Sequence, residues 1–503
     1  MPSEHRLHPA SFLFAVGGQL KNFLLPGLVV LFTAGVSGAN WEIWLMTLVV
    51  PVSVFAFIRT LSYRYRLEDS ELVVRTGFIF RNERHIPYAR IQNVEVIQNL
   101  FHRLFGVVEV KIETGGGHED EARMQVVTLA AHQEIRDRVF AYKRPPAAEE
   151  AAAATGAAPQ GTIVLTLPPQ ELLLSGLIAN RSAIVIAAAF GVIWELGLFD
   201  FVFTWVFGDK VTGRSIVTQI ARAFIGRGYP SPWYLVLAIG TISALFAAVT
   251  VISMVWALVR LYGFTLRRVG DDLLAEYGLL TRITTTIPMR RIQTLTVFEG
   301  PLYRVFDRAS VKVETAGGDA GEQGQVRREP LVPIIRRANL ETFLRNVLPD
   351  IDVNVADWER AAPRAVIREW RQNLIVAAVF SLFFVIMLEF WTLLLFAALA
   401  AFSAVHARRY VAALGWALTD SAVLFRRGWV WRRLTAARFS KVQAIALHQS
   451  PFDRRYDMAR VQVDTAGSIG SSDAVNIPYL PDAVARTLHL RLSAEASRTS
   501  FEW

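Results

Sequence analysis

Long apolar runs and short alternating segments follow one another three times along the chain. The apolar regions lie at 23–58, 183–259 and 373–405. Because a membrane-spanning helix needs about 20 apolar residues, each region is too long for one span and is expected to hold two helices, some of them short or tilted. The last region is expected to turn near Glu389. The alternative, buried core helices of a soluble protein, does not explain the length and pairing of these runs. The pattern predicts six transmembrane helices in three hairpins.

Alternating strand patterns follow each hairpin, at 65–142, 264–348 and 416–492. In the segment VVEVKIE, Val108, Val110 and Ile112 lie on one face of a strand and charged residues lie on the other. An amphipathic helical segment ends each region. Several strands followed by one such helix predict a small β-barrel or sandwich capped by its C-terminal helix.

A proline and an amphipathic stretch precede each hairpin. Pro9 and Lys21 are twelve residues apart, as are Pro169 and Arg181, and the third version matches loosely. These stretches predict helices that lie along the inner membrane surface. The start of the chain lacks a clean cleavage site, so it is expected to be retained.

These patterns divide the chain into repeated units, with an alanine-rich linker between the first and second. The predicted boundaries are 1–64 for the first surface helix and hairpin, 65–143 for the first soluble domain, 144–161 for the linker, 162–263 for the second surface helix and hairpin, 264–350 for the second domain, 351–415 for the third surface helix and hairpin, 416–492 for the third domain, and 493–503 for a tail.

Composition supports a membrane protein. The chain is 53% hydrophobic and 19% charged, whereas soluble domains have about 45–50% apolar and about 25% charged residues. Basic residues flank the same ends of all three hairpins, so the positive-inside rule predicts a chain in the cytoplasmic (inner) membrane with both termini and all soluble domains on the cytoplasmic side. The basic loop Gly208–Pro232 disagrees with this orientation. The chain has no cysteine, which excludes disulfides and thiolate chemistry.

One phrase occurs three times almost without gaps. RIQNVEVIQNLFHRLFGVVEVKIETGGG spans Arg90–Gly117, and related phrases span Arg291–Gly318 and Lys441–Gly467. A repeat of this length indicates one structural unit copied along the chain. The third copy replaces Arg-Ile-Gln with Lys-Val-Gln and lacks the proline that precedes the phrase in the other two.

This phrase resembles the signature of the bacterial membrane-flanked PH-like domain family, type 2. The resemblance covers all three units and is weaker in the third. It implies a PH-like fold, in which a C-terminal helix closes two packed antiparallel sheets, and it implies no enzymatic activity and no cofactor. The expected fold class is an α+β integral membrane protein with three repeats of a transmembrane hairpin followed by a PH-like domain.

Two basic positions recur in the repeat and are the candidate binding surface. They are occupied by Arg90, Arg291 and Lys441, and by Arg103, Arg304 and Arg454. A functional interpretation is a surface for anionic head groups or an acidic partner, because guanidinium donates paired hydrogen bonds to phosphate. A structural interpretation, which the recurrence favours, is pairing with the acidic residues Glu113, Glu314 and Asp464.

Glu195 and Asp200 lie within an apolar run. Carboxylates inside a membrane are candidates for an ion or proton path, although residues near the outer end would simply be solvated. No metal-binding spacing, P-loop or nucleophile elbow occurs in a suitable context. We therefore expect no catalytic residue, no metal and no cofactor.

Three functions remain open. The first is a non-enzymatic scaffold that assembles an envelope-associated complex, with another membrane protein of the same family as the simplest partner. The second is a protein that binds or handles anionic lipid from the bilayer. The third is a transporter or channel. No nucleic-acid partner is expected.

Overall fold

The computed structural model describes residues 5–6, 11, 62–77, 81–114, 122–131, 133–135, 138, 161–178, 232–315, 330–353, 357–383, 391–465 and 475–498. Everything below refers to these ranges. They form two compact units, one containing the three PH-like domains and the other containing 167–264 with 277–280.

Each PH-like domain is built from short antiparallel strands and small helices. The first contains β1 (His5–Arg6), β2 (Arg64–Leu67), β3 (Glu71–Thr76), β4 (Asn82–Pro87), β5 (Ile91–Gln98), α1 (Leu100–Leu104), β6 (Val107–Thr114) and β7 (Ala122–Thr128). Between the first and second domains lie β8 (Thr162–Thr166), α2 (Pro169–Ile178) and α3 (Pro232–Leu261). The second domain continues with β9 (Thr265–Val269), β10 (Asp272–Tyr277), β11 (Arg282–Pro288), β12 (Ile292–Glu299), α4 (Pro301–Val305), β13 (Arg308–Thr315), β14 (Pro330–Arg336) and α5 (Arg337–Val347). The third part contains α6 (Ala365–Phe383), α7 (Trp391–Ala413), β15 (Gly415–Leu418), β16 (Ala422–Arg427), β17 (Arg432–Arg438), β18 (Val442–His448), α8 (Pro451–Arg455), β19 (Met458–Thr465), β20 (Val475–Pro481) and α9 (Asp482–Arg498).

The third domain shows the PH-like arrangement in full. Strands β15–β17 form one half of the sandwich, β18–β20 form the other, and α9 packs against both β18 and β19. Alternation along β19 buries Val461 and Val463, which pack with Ala485 and Leu488 of α9. The expected sandwich with a closing helix is confirmed here, and burial of these alternating apolar side chains stabilises it.

The short helix between the two middle strands of the repeat begins with a reciprocal cap. In α8, the Ser450 hydroxyl accepts from the Asp453 backbone N–H, and the Asp453 carboxylate accepts from the Ser450 backbone N–H. Asn99 and His102 form the corresponding box in α1. Such boxes satisfy backbone donors that a helix start leaves without intrahelical partners. The equivalent helix α4 has the same length but begins with Gly300 and Pro301, without a side-chain cap.

Sheets continue from one domain into the next. Strands β7-β6-β5 of the first domain join β11-β10-β9-β8 in one seven-stranded sheet. Strands β14-β13-β12 of the second domain join β17-β16-β15 in one six-stranded sheet. The sequence patterns predicted three separate sandwiches, so this fusion is the main difference between expectation and structure.

Each PH-like domain also takes backbone from before its hairpin sequence. Strand β1 pairs with β2, and β8 pairs with β9. In the third copy, Glu359 forms an isolated antiparallel bridge with Trp416. The predicted boundaries began each soluble domain after its hairpin. In the structure, the segment before each predicted hairpin pairs with the first strand after it, so each domain includes residues from both sides of the predicted hairpin.

The third hairpin is docked on its domain. Ala362 and Ala365 belong to the buried core of the third domain. Arg368 forms an ion pair with Asp453 at 3.2 Å, and the Tyr479 hydroxyl donates to Glu369 at 2.6 Å. The third amphipathic stretch, 362–373, was expected to form a separate surface helix. Residues 365–373 instead form the first turns of α6, where Arg368 and Glu369 bond to the domain.

In the described residues, the second unit contains a pair of packed helices. Leu172, Ser175 and Gly176 of α2 are buried, and the Ser253 hydroxyl of α3 donates to the Gly176 carbonyl at 2.9 Å. A methyl group at Gly176 would lie 2.6 Å from the Cα atom of Met254. Glycine therefore permits the close approach of α2 to α3 at this point.

Two helices in the described ranges are long and apolar enough to cross a membrane. They are Ile239–Leu261 of α3 and Trp391–Ala413, which is α7. Three of the other four predicted spans lie outside the described residues. The fourth falls on α6 (Ala365–Phe383), which is not one of the two candidate spans in the described ranges.

Candidate functional site

The two junctions between PH-like domains have the same geometry. At the first, Gln98, Ile97 and Val96 of β5 pair with Arg282, Ile283 and Thr284 of β11. At the second, Glu299, Phe298 and Val297 of β12 pair with Arg432, Arg433 and Leu434 of β17. The repeat offsets of 201 and 150 residues convert one set of pairs into the other. The junction is therefore a recurring feature with a fixed register.

The centre of the second junction is buried. Thr296 and Thr435 are opposite each other, both side chains are buried, and their hydroxyl oxygens are 3.2 Å apart. At the end of the strands, the guanidinium of Arg433 lies over the ring of Phe298, 5.6 Å from its centroid. Paired hydroxyls and a cation–π contact give the junction specificity beyond main-chain pairing.

The two sides of the fused sheet face different cores. Leu295 and Val297 of β12 are opposite Val313 and Val311 of β13, on the core side of the second domain. Because successive side chains of a strand point to opposite faces, Thr294 and Thr296 point to the other face. That face also carries Ala437, which belongs to the core of the third domain. Bending the junction would therefore disturb both cores.

Arg304, a predicted site residue, lies at this junction. Its guanidinium donates to the Val430 carbonyl, just before β17, at 3.1 Å. Arg304 is half-buried, whereas the corresponding Arg103 and Arg454 are exposed. The structure thus gives one member of this recurring position a contact between domains.

The other recurring position is occupied by residues in very different surroundings. Arg90 is exposed, Arg291 is half-buried and Lys441 is 1% exposed. Burial is the largest cause that lowers the pKa of Arg291, followed by repulsion from Arg290. Each residue ends the 3₁₀ turn that connects the fourth and fifth strands of its repeat. The acidic residues considered as partners have other bonds: Glu314 accepts from the Thr294 hydroxyl, and Asp464 accepts from Gln462.

A basic cleft lies where the second and third domains meet. Its volume is about 240 Å³. The charged residues that line it are Arg268, Asp271, Arg290, Asp350, Arg438 and Lys441. With four cations and two carboxylates, the lining favours an anion.

Arg438 is the residue that connects the cleft to the junction, and the sequence patterns did not identify it. It donates to the Met289 carbonyl at 3.3 Å and to Asp350 at 2.7 Å. It occupies the position of the proline that the third copy lacks. That replacement was the available signal, because proline has no side chain that could make these bonds.

Glu195 and Asp200 lie outside the described residues. Within the described part of the chain, no group of histidine, aspartate and glutamate side chains is placed to hold a metal ion.

A tandem array of PH-like domains with membrane-length helices is the class of protein that this fold and these junctions define. The chain belongs to the bacterial PH domain family, whose model matches residues 19–143, 182–350 and 373–496. It is also similar to the UPF0699 transmembrane protein YdbT of Bacillus subtilis (strain 168), with 25% identity over 402 residues that cover 77% of this chain and 76% of that protein. No solved structure matches the chain.

Proposed function

We propose that this protein is a non-enzymatic membrane scaffold whose cytoplasmic PH-like domains assemble an envelope-associated complex. The observation that carries the proposal is the fusion of sheets across both junctions. Domains joined by a flexible linker would move independently, whereas domains that share a sheet present their surfaces at fixed spacing. Tethered, fixed sites raise the effective concentration of whatever binds them.

The membrane part of the proposal consists of three hairpins that return the chain to the cytoplasm each time. The apolar helices α3 and α7 and the similarity to a transmembrane protein support it. So do the basic residues at hairpin ends, among them Arg408 and Arg409. Both termini and all three domains are then cytoplasmic, in contact with the bilayer.

The proposed partner is another membrane protein of the same family. Sheet pairing supports this choice, because the junctions show that one PH-like domain is a suitable binding surface for another. Main-chain pairing at a sheet edge is a recurring way in which proteins recognise each other.

The scaffold is tested by breaking a junction. The variant Thr435→Lys places a charge at a buried position, and Thr342→Lys places the same charge at an exposed position of α5. Both are compared with the wild type by in-cell crosslinking and affinity capture with mass spectrometry. We expect the captured complex to be lost in Thr435→Lys and kept in Thr342→Lys. Equal capture by all three proteins, or no protein partner of the wild type, would contradict the scaffold.

The basic cleft supports a second candidate function, the binding of an anionic head group. Arg290 and Lys441 line the cleft together with Arg438. The variant Arg290→Ala removes an exposed cation from the cleft lining, so the array should remain intact. Less anionic lipid co-purified with this variant than with the wild type would favour the lipid function. Unchanged lipid content would remove it.

A further inference from the structure

We propose that copies of this chain associate head to tail, by pairing strand β18 of one copy with strand β4 of the next. The proposal deepens the scaffold function and rests on it. It follows from what the two internal junctions leave over.

Each junction joins a fourth strand of the repeat to a fifth strand of the preceding repeat. The bridge segment at Glu359 is counted here as the first strand of the third repeat. Strands β11 and β17 are then the fourth strands of their repeats, and they pair with β5 and β12, the fifth strands of the preceding repeats. Three repeats therefore leave one strand of each type. In the described ranges, β4 pairs with β3 on one side only, and β18 pairs with β19 on one side only. In the described ranges, β4 and β18 are thus two uncovered sheet edges of the kinds that pair with each other at both internal junctions.

The uncovered fifth strand shows what the junction normally buries. Gln293 and Thr294 of β12 are 1% and 2% exposed. The corresponding Gln443 and Ala444 of β18 are exposed. The difference between equivalent positions corresponds to the strand that β12 has beside it and β18 does not.

Strand β18 has no charged residue or proline along its edge, and its register shift at Val442–Ala444 also occurs at the equivalent place in the covered strand β12. Edge strands are commonly blocked by charged residues, proline or bulges, yet Val442–His448 reads VQAIALH, with no Asp, Glu, Lys, Arg or Pro. Strand β4 does carry charge, but its Glu83 bonds to Arg75 and its His85 bonds to Glu71, both at 2.9 Å. Those two charges are thus compensated within the first domain.

The register of the internal junctions matches β4 to β18 well. It places Arg81 opposite Gln449, just as Arg282 is opposite Gln98 and Arg432 is opposite Glu299. It also places the long side chain of Arg84 opposite Ala446, whose small size leaves room for it, and places Ile86, which is buried in the core of the first domain, opposite Ala444. An arginine opposite an amide or carboxylate is thus common to all three pairings.

Arg454 has a role in this pairing. Its counterpart Arg304 donates to the carbonyl of Val430, at the turn before the incoming fourth strand. Arg454 is exposed at the same place beside β18. In the proposed association Arg454 therefore lies beside the start of the incoming strand β4 of the next copy.

An interface between two different edges repeats from copy to copy and does not close as a two-fold dimer. Such heterologous interfaces produce rings or open chains. The expected assemblies therefore include species larger than dimers.

Cysteine crosslinking of the full-length protein tests the proposal, because the natural chain has no cysteine. The variants Arg84→Cys and Ala446→Cys are expressed separately and together in one bacterial membrane and then oxidised. We expect a disulfide-linked dimer from the co-expressed pair and none from either variant alone. A second pair on the opposite face of the strands, Glu83→Cys with Leu447→Cys, should behave in the same way.

The matched control is the double variant Thr296→Cys/Thr435→Cys, which places the same pair at the internal junction. It should form a disulfide within the chain, detected as loss of thiol labelling without a change in size. If this control crosslinks and neither co-expressed pair does, head-to-tail association is overturned and the internal array stands. Crosslinking of Ala446→Cys alone would indicate pairing of β18 with itself and would also overturn it. If the control also fails to form a disulfide, the result contradicts both the internal junction and the proposed scaffold function.

Discussion

Thr296 of the second PH-like domain and Thr435 of the third lie opposite each other in one fused sheet, with their hydroxyl oxygens 3.2 Å apart and both side chains buried. Neighbouring domains on flexible linkers would not share a buried hydrogen bond. Substitution of this pair therefore tests directly whether the two domains are held together by the shared sheet.

Replacement of one of these threonines should lower the stability of the junction more than replacement of both. Thr296→Val leaves the Thr435 hydroxyl buried without its partner, which costs about 1–2 kcal/mol, whereas the double variant Thr296→Val/Thr435→Val should be nearly neutral. Hydrogen exchange of the β12 and β17 amides measures the free energy of opening. Additive effects of the two substitutions would show that the hydroxyls do not interact.

The recurring arginines should differ in their effect on the junction. Arg304→Ala removes the bond to the Val430 carbonyl. The free energy of opening at the start of β17 should therefore fall by about 1 kcal/mol, and the amides there should exchange faster. Arg454→Ala, at the equivalent exposed position, is the matched control and should leave these amides unchanged in dispersed protein. Equal effects of the two substitutions would contradict the assignment.

Tyr479 should make the third domain sensitive to alkaline pH. Burial, followed by its hydrogen bond to Glu369, raises the pKa of the Tyr479 hydroxyl. The unfolded chain loses this proton near pH 10, whereas the folded state retains it. The stabilisation is therefore complete below about pH 10 and decreases as the pH rises above it.

The variant Tyr479→Phe checks this sign. Its free energy of unfolding should decrease less steeply above about pH 10 than that of the wild type. Urea unfolding followed by near-ultraviolet circular dichroism at several pH values measures the slope. The same alkaline slope in both proteins would show that Tyr479 does not hold its proton more tightly in the folded state.

The approach of α2 to α3 should depend on one glycine. A methyl group at Gly176 would lie 2.6 Å from Met254 Cα and 2.7 Å from the Ser253 carbonyl oxygen. Gly176→Ala should therefore destabilise this helix pair by about 1–3 kcal/mol. Gly240→Ala is the control, because a methyl group there meets nothing within 4 Å. Thermal unfolding in detergent measures the melting temperature of both variants. A lower melting temperature for Gly240→Ala than for Gly176→Ala would contradict the proposed packing.

Local patterns predicted the strands and closing helices of the second and third domains. In α5, Phe343, Leu344 and Val347 lie on one helical face, and all three are buried. Strand β19 buries Val461 and Val463 as its alternation requires. These features depend on residues that are close in sequence, so periodicity is enough to find them.

The junctions could not be predicted in the same way. Pairing of β12 with β17 joins residues about 140 positions apart, and edge strands of a repeated domain have nearly the same pattern whether they are covered or not. One signal was present in the residues themselves. The covered fourth strands have neutral centres, Thr284–Thr286 in β11 and Leu434–Ala437 in β17, whereas β4 carries Glu83, Arg84 and His85.

The central claim is that shared sheets hold the PH-like domains in a fixed array. Electron–electron distance measurement between spin labels tests it most directly, since a chain without cysteine can be labelled only at introduced sites. Labels at the exposed Thr342 in α5 of the second domain and Arg491 in α9 of the third, in full-length protein in lipid, should give one narrow distance distribution. In the junction variant Thr435→Lys the distribution should broaden. A broad distribution in the otherwise unmodified, labelled protein would contradict the fixed array.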